Sequence, residues 1–144
     1  MFQRKYQVKG EDVNDVMIMQ NHAYVKYSAK IFETFLLNSG YSLQKLQQLN
    51  IFWQKENEQL FKLENLFFTQ FFYVNLNFNS INSSGNNLEL VISFYNEKFI
   101  KHAHIVTTIG WYDLFSLKKI NTPKRLVKYF IPKESYSSFS LAEE

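Results

Sequence analysis

The sequence contains no cysteine. This absence excludes disulfide bonds, thiolate nucleophiles and thiolate metal ligands, and it fits a reducing compartment without proving one. No apolar run reaches the ~18 residues that a membrane-spanning helix requires. The first ten residues, MFQRKYQVKG, also lack the apolar core of a secretory signal. We therefore expect a cytoplasmic protein that does not enter a membrane.

Excess charge of one sign is also missing, because the formal net charge is only +3. No strand carries a strip of alternating basic and aromatic residues, so the sequence does not predict a nucleic-acid partner. The basic residues that do cluster lie near the C-terminal end of the chain: Lys118, Lys119, Lys124, Arg125, Lys128 and Lys133. Such a cluster can bind phosphate groups, or it can form a solvated surface without a ligand.

The length of 144 residues is that of one domain. A chain of this size buries roughly two-thirds of its unfolded surface and needs no covalent cross-links. The last segment, ESYSSFSLAEE, is polar and rich in serine. We therefore predict a single domain over residues 1–133 and a loose polar tail over residues 134–144.

The stretch from Gly10 to Gly40 predicts an acidic turn followed by one long helix. The helix begins between Asp15 and Asn21, which are both suitable N-caps, and Gly40 is suited to the position after its end. At about 100° per residue, one apolar stripe is formed by Tyr24, Tyr27, Ile31 and Phe35. The remaining polar face is narrow, so we expect a concave surface to cover this helix.

Alternating apolar and polar residues predict strands over Met1–Lys9, Phe72–Asn79, Leu88–Phe94 and Phe99–Trp111. Residues 51–63 make a poor strand by pattern, because residues 54–59 are polar throughout. Lys119–Pro123 is expected to leave the sheet, and Arg125–Phe130 to form a short helix. The predicted class is α+β. One sheet around one helix leaves an open edge, which favours a homodimer or homotetramer.

Two stretches of this layout carry a resemblance to a known family. Residues 12–24 read DVNDVMIMQNHAY, and the family motif is approximately D-x-D-x-x-G-H/I-V-x-N/Y-x-x-Y, with Asp12, Ile18 and Tyr24 in register. An aromatic strand that ends on Asp113, followed by a turn at Pro123, is similar to the end of that family. Over about residues 3–130, the chain resembles the hot-dog acyl-CoA thioesterases of the 4-hydroxybenzoyl-CoA thioesterase type.

The resemblance implies a hot-dog fold, in which a curved antiparallel sheet wraps one long helix. It also implies hydrolysis of an acyl-CoA or acyl-carrier thioester, with the coenzyme A thioester as substrate and no separate cofactor. A carboxylate, Asp15 or Asp12, would activate water that Asn14 positions. The backbone N–H near Asn21, at the helix N-terminus, would stabilise the oxyanion, and His22 is a further candidate for acid–base work.

The resemblance also implies a pocket that is completed across a dimer interface and a basic surface for the nucleotide phosphates of coenzyme A. The candidates for that surface are Lys118, Lys119, Lys124 and Arg125.

Two positions depart from the family motif: the catalytic carboxylate is replaced by Asn14 and the glycine by Met17. Asparagine cannot act as a base, so a non-catalytic acyl- or CoA-binding protein is the competing interpretation. The acidic residues of the turn and His22 can also be only capping and turn residues. A hot-dog hydratase, with the motif G-D-x-N-P-L-H, ranks lower because its catalytic histidine would be Met17.

A second candidate site is the pair His102 and His104, which lie two residues apart on one face of a predicted strand. Such a pair can contribute two ligands to a metal. The sequence offers no third ligand, so we predict no metal site.

Overall fold

The computed structural model describes residues 2–129, and the predicted tail over residues 134–144 lies outside them. The elements in chain order are β1 (Phe2–Gln7), a 3-10 turn (Gly10–Asp12), α1 (Asn21–Asn38), α2 (Leu43–Gln48), β2 (Ile51–Lys62), β3 (Phe71–Ile81), β4 (Asn87–Asn96), β5 (Lys101–Asp113), β6 (Lys119–Ile120) and α3 (Lys124–Val127). None of the helices in this range is long and apolar enough to cross a bilayer.

The strands form one six-stranded sheet in the order β1-β3-β4-β5-β2, and β6 pairs with β5. The outer strand β1 runs antiparallel to β3, so that Phe2 lies opposite Leu76 and Gln7 opposite Phe71. The short strand β6 runs antiparallel to β5, with Ile120 opposite Trp111. This arrangement of one long helix and an antiparallel sheet confirms the predicted α+β class.

The chain divides into two compact units. The first comprises the residues up to Leu36 together with Gln59–Asn77 and Val91–Val106, and the second comprises Leu37–Glu58, Phe78–Leu90 and the residues from Thr107 onward. The single domain over residues 1–133 stays a prediction.

In the first unit, aromatic side chains of α1 pack on the sheet. The stripe predicted for this helix is confirmed, because Tyr24, Tyr27, Ile31 and Phe35 are all buried. Three edge-to-face ring pairs form the contact: Tyr24 with Phe94 and Tyr27 with Phe72, each with centroids 5.0 Å apart, and Phe35 with Phe2 at 5.6 Å. Each pair adds about 0.5–1.5 kcal/mol to the apolar burial itself.

In the second unit, the buried side chains include Trp111, Leu88 and Leu46. One predicted chain signal is confirmed here. Gly40 adopts φ +91°, the left-handed conformation that ends a helix without a Cβ penalty. The hydroxyl of Ser42 caps α2 by accepting a hydrogen bond from the Lys45 N–H at 3.1 Å.

The prediction for residues 51–63 is wrong, because Ile51–Lys62 forms the 12-residue strand β2. Its polar residues are stabilised by partners far away in the sequence. The Glu56 carboxylate accepts hydrogen bonds from Lys119 Nζ at 2.8 Å and from the Tyr112 hydroxyl, while Thr107 Oγ1 donates to the Asn57 carbonyl at 3.0 Å. Pairing with β5 therefore outweighs the missing hydrophobic alternation.

The end of the described chain also differs in part from expectation. Lys119 and Ile120 were expected to leave the sheet, but they form β6 against β5. The predicted helix over Arg125–Phe130 begins one residue earlier, as α3 over Lys124–Val127. Phe130 lies outside the described residues.

Candidate functional site

The residues after the acidic 3-10 turn form a small closed loop. Val13 and Met19 form an antiparallel bridge, and the Asn14 N–H donates to the Ile18 carbonyl at 3.0 Å. Asn14 Oδ1 accepts from the N–H groups of Val16 and Ile18, both at 3.0 Å. The side chain at the family's carboxylate position therefore shapes this loop, as an asparagine does in an Asx turn.

The tip of the loop is exposed. The side chains of Asp15 and Val16 face solvent. Two backbone hydrogen bonds join the loop to residues 66–68: the Met19 N–H donates to the Leu66 carbonyl at 2.8 Å, and the Phe68 N–H donates to the Met17 carbonyl at 2.9 Å. Met17 has φ +67°. The backbone of this chain is therefore left-handed at the position where the family motif has glycine.

Met17→Gly is expected to raise the free energy of unfolding by about 0.5 kcal/mol, because relief of the left-handed penalty exceeds the entropic cost of glycine. Urea unfolding measures the change. The matched control is Val16→Gly, at a neighbouring exposed residue with negative φ, which should lose about 0.5–1 kcal/mol. A destabilised Met17→Gly variant would show that the methionine side chain has a packing role.

Asp12 is fully buried and ties the acidic turn to α1. Its carboxylate accepts hydrogen bonds from Lys26 Nζ at 2.5 Å, the Tyr27 hydroxyl at 2.7 Å and the Lys9 N–H at 3.0 Å. Its backbone carbonyl accepts from the Gln20 N–H at 2.8 Å, immediately before the helix. Both the side chain and the backbone of Asp12 therefore position the start of α1.

The ionisation of this cluster follows from the same contacts. Burial on its own raises the pKa of the Asp12 carboxyl, but the hydrogen bonds from Lys26, Lys9 and Tyr27 outweigh it and hold the pKa below its usual range. Burial, and then the neighbouring Asp12 carboxylate, raise the pKa of the Tyr27 hydroxyl. An ionised carboxylate with three donors and no solvent contact is a weak base, so the geometry favours a positioning role for Asp12.

The helix α1 begins at Asn21, where the resemblance places the oxyanion donor. The first N–H groups of a helix have no intrahelical acceptor, and the helix dipole adds partial positive charge there. The Gln20 carbonyl accepts the bond from the Ala23 N–H at 3.0 Å. The side chains of Asn21 and His22 are both exposed at this end.

The four residues expected to bind phosphate all lie in the second unit. Lys118 and Lys124 are exposed. The ammonium of Lys119 is already bound by Glu56 and by Asn87 Oδ1, and the Arg125 guanidinium lies against Gly40, where an added Cβ would approach Nη1 to 2.7 Å. Lys118 and Lys124 are therefore more available to a ligand.

The two strand histidines have separate surroundings. Both ring nitrogens of His102 are within hydrogen-bond distance of partners: Nδ1 of the Asn65 carbonyl at 3.0 Å and Nε2 of Asn96 Nδ2 at 3.1 Å. His104 stacks on Phe61 with centroids 4.9 Å apart, and burial followed by the charge of Lys101 lowers its pKa. Residues 2–129 contain no cluster of three His, Cys, Asp or Glu residues suited to a metal.

Sequence reasoning missed the partners of Asp12. The sequence pattern placed Tyr27 in the apolar stripe of the helix, and it did not relate Lys26 or Tyr27 to Asp12, which lies 14 and 15 residues earlier. The available signal was their place in the second turn of a helix that directly follows an aspartate-bearing segment.

Solved structures of other proteins have a similar fold. A hypothetical protein from Staphylococcus aureus, characterised in complex with CoA, matches with a TM-score of 0.80 and 15% identity over 95% of this chain and 84% of its own. A 1,4-dihydroxy-2-naphthoyl-CoA thioesterase from Synechocystis matches with a TM-score of 0.76 and 16% identity over 86% of this chain and 90% of its own. A probable thioesterase from Escherichia coli matches with a TM-score of 0.77 and 17% identity over 90% of this chain and 96% of its own.

The chain has the hot-dog fold. The fold expected from the resemblance is thereby confirmed. No protein-family model matches the sequence, and a comparison with curated proteins finds no match. The roles of Asp15, Asp12, Asn14, Asn21, His22 and the basic residues stay predictions.

Proposed function

We propose that this protein hydrolyses a thioester of coenzyme A. The observation that carries the proposal is the exposed carboxylate of Asp15, at the tip of a hydrogen-bonded loop that leads into the first turn of α1. The likeness to thioesterases, and to a protein in complex with CoA, supports this substrate class.

Asp15 takes a proton from water, and the resulting hydroxide attacks the thioester carbonyl carbon. The N–H of Asn21 stabilises the oxyanion as negative charge develops on the carbonyl oxygen. The C–S bond then breaks and the carboxylic acid is released, and the thiolate of coenzyme A takes up the proton that Asp15 accepted, which regenerates the Asp15 carboxylate. Asp12 holds the loop and the helix start together, and Asn14 shapes the loop while its Nδ2 group can still donate to water.

The test is thiol release by the purified protein from a panel of aliphatic and aromatic acyl-CoA substrates. A kcat of about 1–10³ s⁻¹ on one of them would be typical of an enzyme. Absence of thiol release from every member of the panel would overturn the proposal. An acyl-carrier thioester belongs in the panel as a separate arm, because the same chemistry serves both carriers.

The competing candidate is a non-catalytic protein that binds acyl-CoA. It is favoured by one observation: Asn14 occupies the family's carboxylate position, and its Oδ1 accepts hydrogen bonds from two backbone N–H groups. It predicts that acyl-CoA binds, with a calorimetric signal, and is recovered intact. A hydratase is less favoured because Met17, at its histidine position, has no ionisable group.

A further inference from the structure

The turn between β5 and β6 has an apolar composition. Residues 114–117, which we call the hairpin tip, read LFSL, whereas tight turns usually carry Gly, Pro, Asn, Asp or Ser. The side chains of Leu114, Phe115 and Leu117 are all exposed, Phe115 to 78% and Leu117 to 66%. Three large apolar side chains therefore face solvent within one four-residue turn.

Hydrogen bonds fix the backbone of the hairpin tip. Asp113 Oδ2 accepts from the N–H groups of Phe115 and Ser116, at 3.1 and 2.7 Å. The Asp113 carbonyl accepts from the Leu117 N–H at 2.9 Å, and the Lys118 N–H donates to Ser116 Oγ at 3.2 Å. The apolar side chains are therefore presented to solvent by a defined turn.

Leu117 has a backbone conformation that leucine rarely adopts. Its φ of +61° lies in the left-handed region, where the Cβ atom crowds the following carbonyl oxygen and glycine is favoured. The side chain is mostly exposed, so packing within the chain does not explain why leucine is present. Residues in such conformations cluster at functional sites, and this one points to a contact outside the chain.

The apolar surface of the hairpin tip continues onto the turn after α2. The Leu114 N–H donates to the Asn50 carbonyl at 2.8 Å, and the adjacent Leu49 is exposed. Exposed lysines flank these side chains: Lys118 directly follows the tip, and Lys45 lies four residues before Leu49 on α2. The surface therefore combines apolar side chains with positive charge.

We propose that the hairpin tip binds the surface of an anionic lipid membrane. Phe115 and Leu117 enter the boundary between headgroups and acyl chains, and Lys118 and Lys45 bind the anionic headgroups. A protein partner fits less well, because a standard interface covers roughly 800 Å² on each partner and four exposed side chains provide only part of that area.

The sequence alone predicts no contact with a membrane, because no apolar run is long enough to span a bilayer and the first ten residues lack the apolar core of a secretory signal. A turn that lies on a bilayer surface requires neither feature. Membrane binding here is also independent of the proposed hydrolysis, since the hairpin tip belongs to the second unit and the acidic loop to the first.

The test is co-sedimentation of the full chain with vesicles of phosphatidylcholine alone and of phosphatidylcholine mixed with phosphatidylserine. The wild type should bind the mixed vesicles at least about fivefold more tightly than the neutral ones. Phe115→Ser should weaken binding to the mixed vesicles about tenfold, because an apolar side chain no longer enters the bilayer. Lys118→Ala should weaken it about fivefold, the contribution of one lysine near an anionic surface.

Leu117→Gly separates a binding role from a structural one. Glycine adopts the left-handed conformation without a Cβ penalty, so the Tm should stay equal or rise, while affinity for the mixed vesicles should fall about fivefold or more. The matched control is Leu63→Gly, at a leucine that is 60% exposed outside the hairpin tip. It should change the affinity less than about twofold, because single exposed apolar residues are common on protein surfaces.

Three results would overturn the proposal. The first is absence of wild-type binding to the mixed vesicles. The second is equal binding of the wild type and Phe115→Ser, since attraction of the lysines alone would then explain the affinity. The third comes from sedimentation velocity without vesicles: an oligomer that dissociates in Phe115→Ser would identify the hairpin tip as a contact between copies of this chain. Thiol release enters none of these measurements, so failure of the proposed function would leave this test unaffected.

Discussion

Asp15→Asn is expected to lower kcat for a CoA thioester by about 10²–10⁴-fold, the range for loss of a general base. Asparagine has nearly the same shape as aspartate but cannot take a proton from water. The side chain is exposed at the loop tip, so the fold should be unaffected. Thiol release at saturating substrate measures the loss in kcat, and thermal unfolding verifies that the Tm is unchanged.

The matched control for Asp15→Asn is Glu33→Gln, which neutralises an exposed carboxylate further along α1. It should leave kcat within about twofold, because it lies outside the loop and a surface charge contributes little. If Asp15→Asn kept more than half of the wild-type kcat, Asp15 would not be the base.

Asp12→Ala is expected to lower the free energy of unfolding by about 3 kcal/mol, since removal of one partner from a buried ion pair typically costs 3–5 kcal/mol. The value is at the low end because the Lys26 side chain is 40% exposed and can turn to water. The Tyr27 hydroxyl and the Lys9 N–H lose their acceptor as well. Denaturant unfolding followed by circular dichroism measures this change.

Glu11→Gln is the matched control, because Glu11 binds the same lysine at 3.1 Å from a 70% exposed side chain. An exposed pair of this kind contributes about 0.5 kcal/mol or less. Similar losses in the two variants would contradict the view that the buried carboxylate, rather than the lysine charge, holds the turn to the helix.

The contribution of Asp12 to stability should depend on pH. Its pKa in the folded protein is lowered, so the folded state favours the ionised carboxylate more strongly than the unfolded chain does. The contribution is then fully present above the unfolded pKa of about 3.9 and is lost as the pH falls from there through the lowered folded value. Asp12→Ala should therefore differ least from wild type in strong acid.

Most of the long elements could be predicted because their signals are local. The apolar stripe of α1, the glycine after it and the alternation of β3 and β4 each occupy a few neighbouring residues. The strand β2 could not be predicted, because its polar centre is stabilised by β5 and by Lys119, whose ammonium binds a carboxylate 63 residues away. No sequence window contains both partners.

The local structure around the candidate site was predictable, whereas the roles of its residues stay predictions. The turn, the loop and the helix start all lie where the motif places them, and the left-handed Met17 occupies the glycine position. The sequence left Asp12 and Asp15 as alternative candidates for the base. Their environments separate them, because one is enclosed by three donors and the other faces water.

The sequence by itself determined the fold class, the long helix with its buried stripe and the acidic loop before it, because side-chain periodicity and turn chemistry act over short distances. Only the tertiary structure decided which carboxylate is buried and which lysine is already paired. These properties depend on groups that meet through folding, and burial and hydrogen bonding then decide which side chains can reach a ligand.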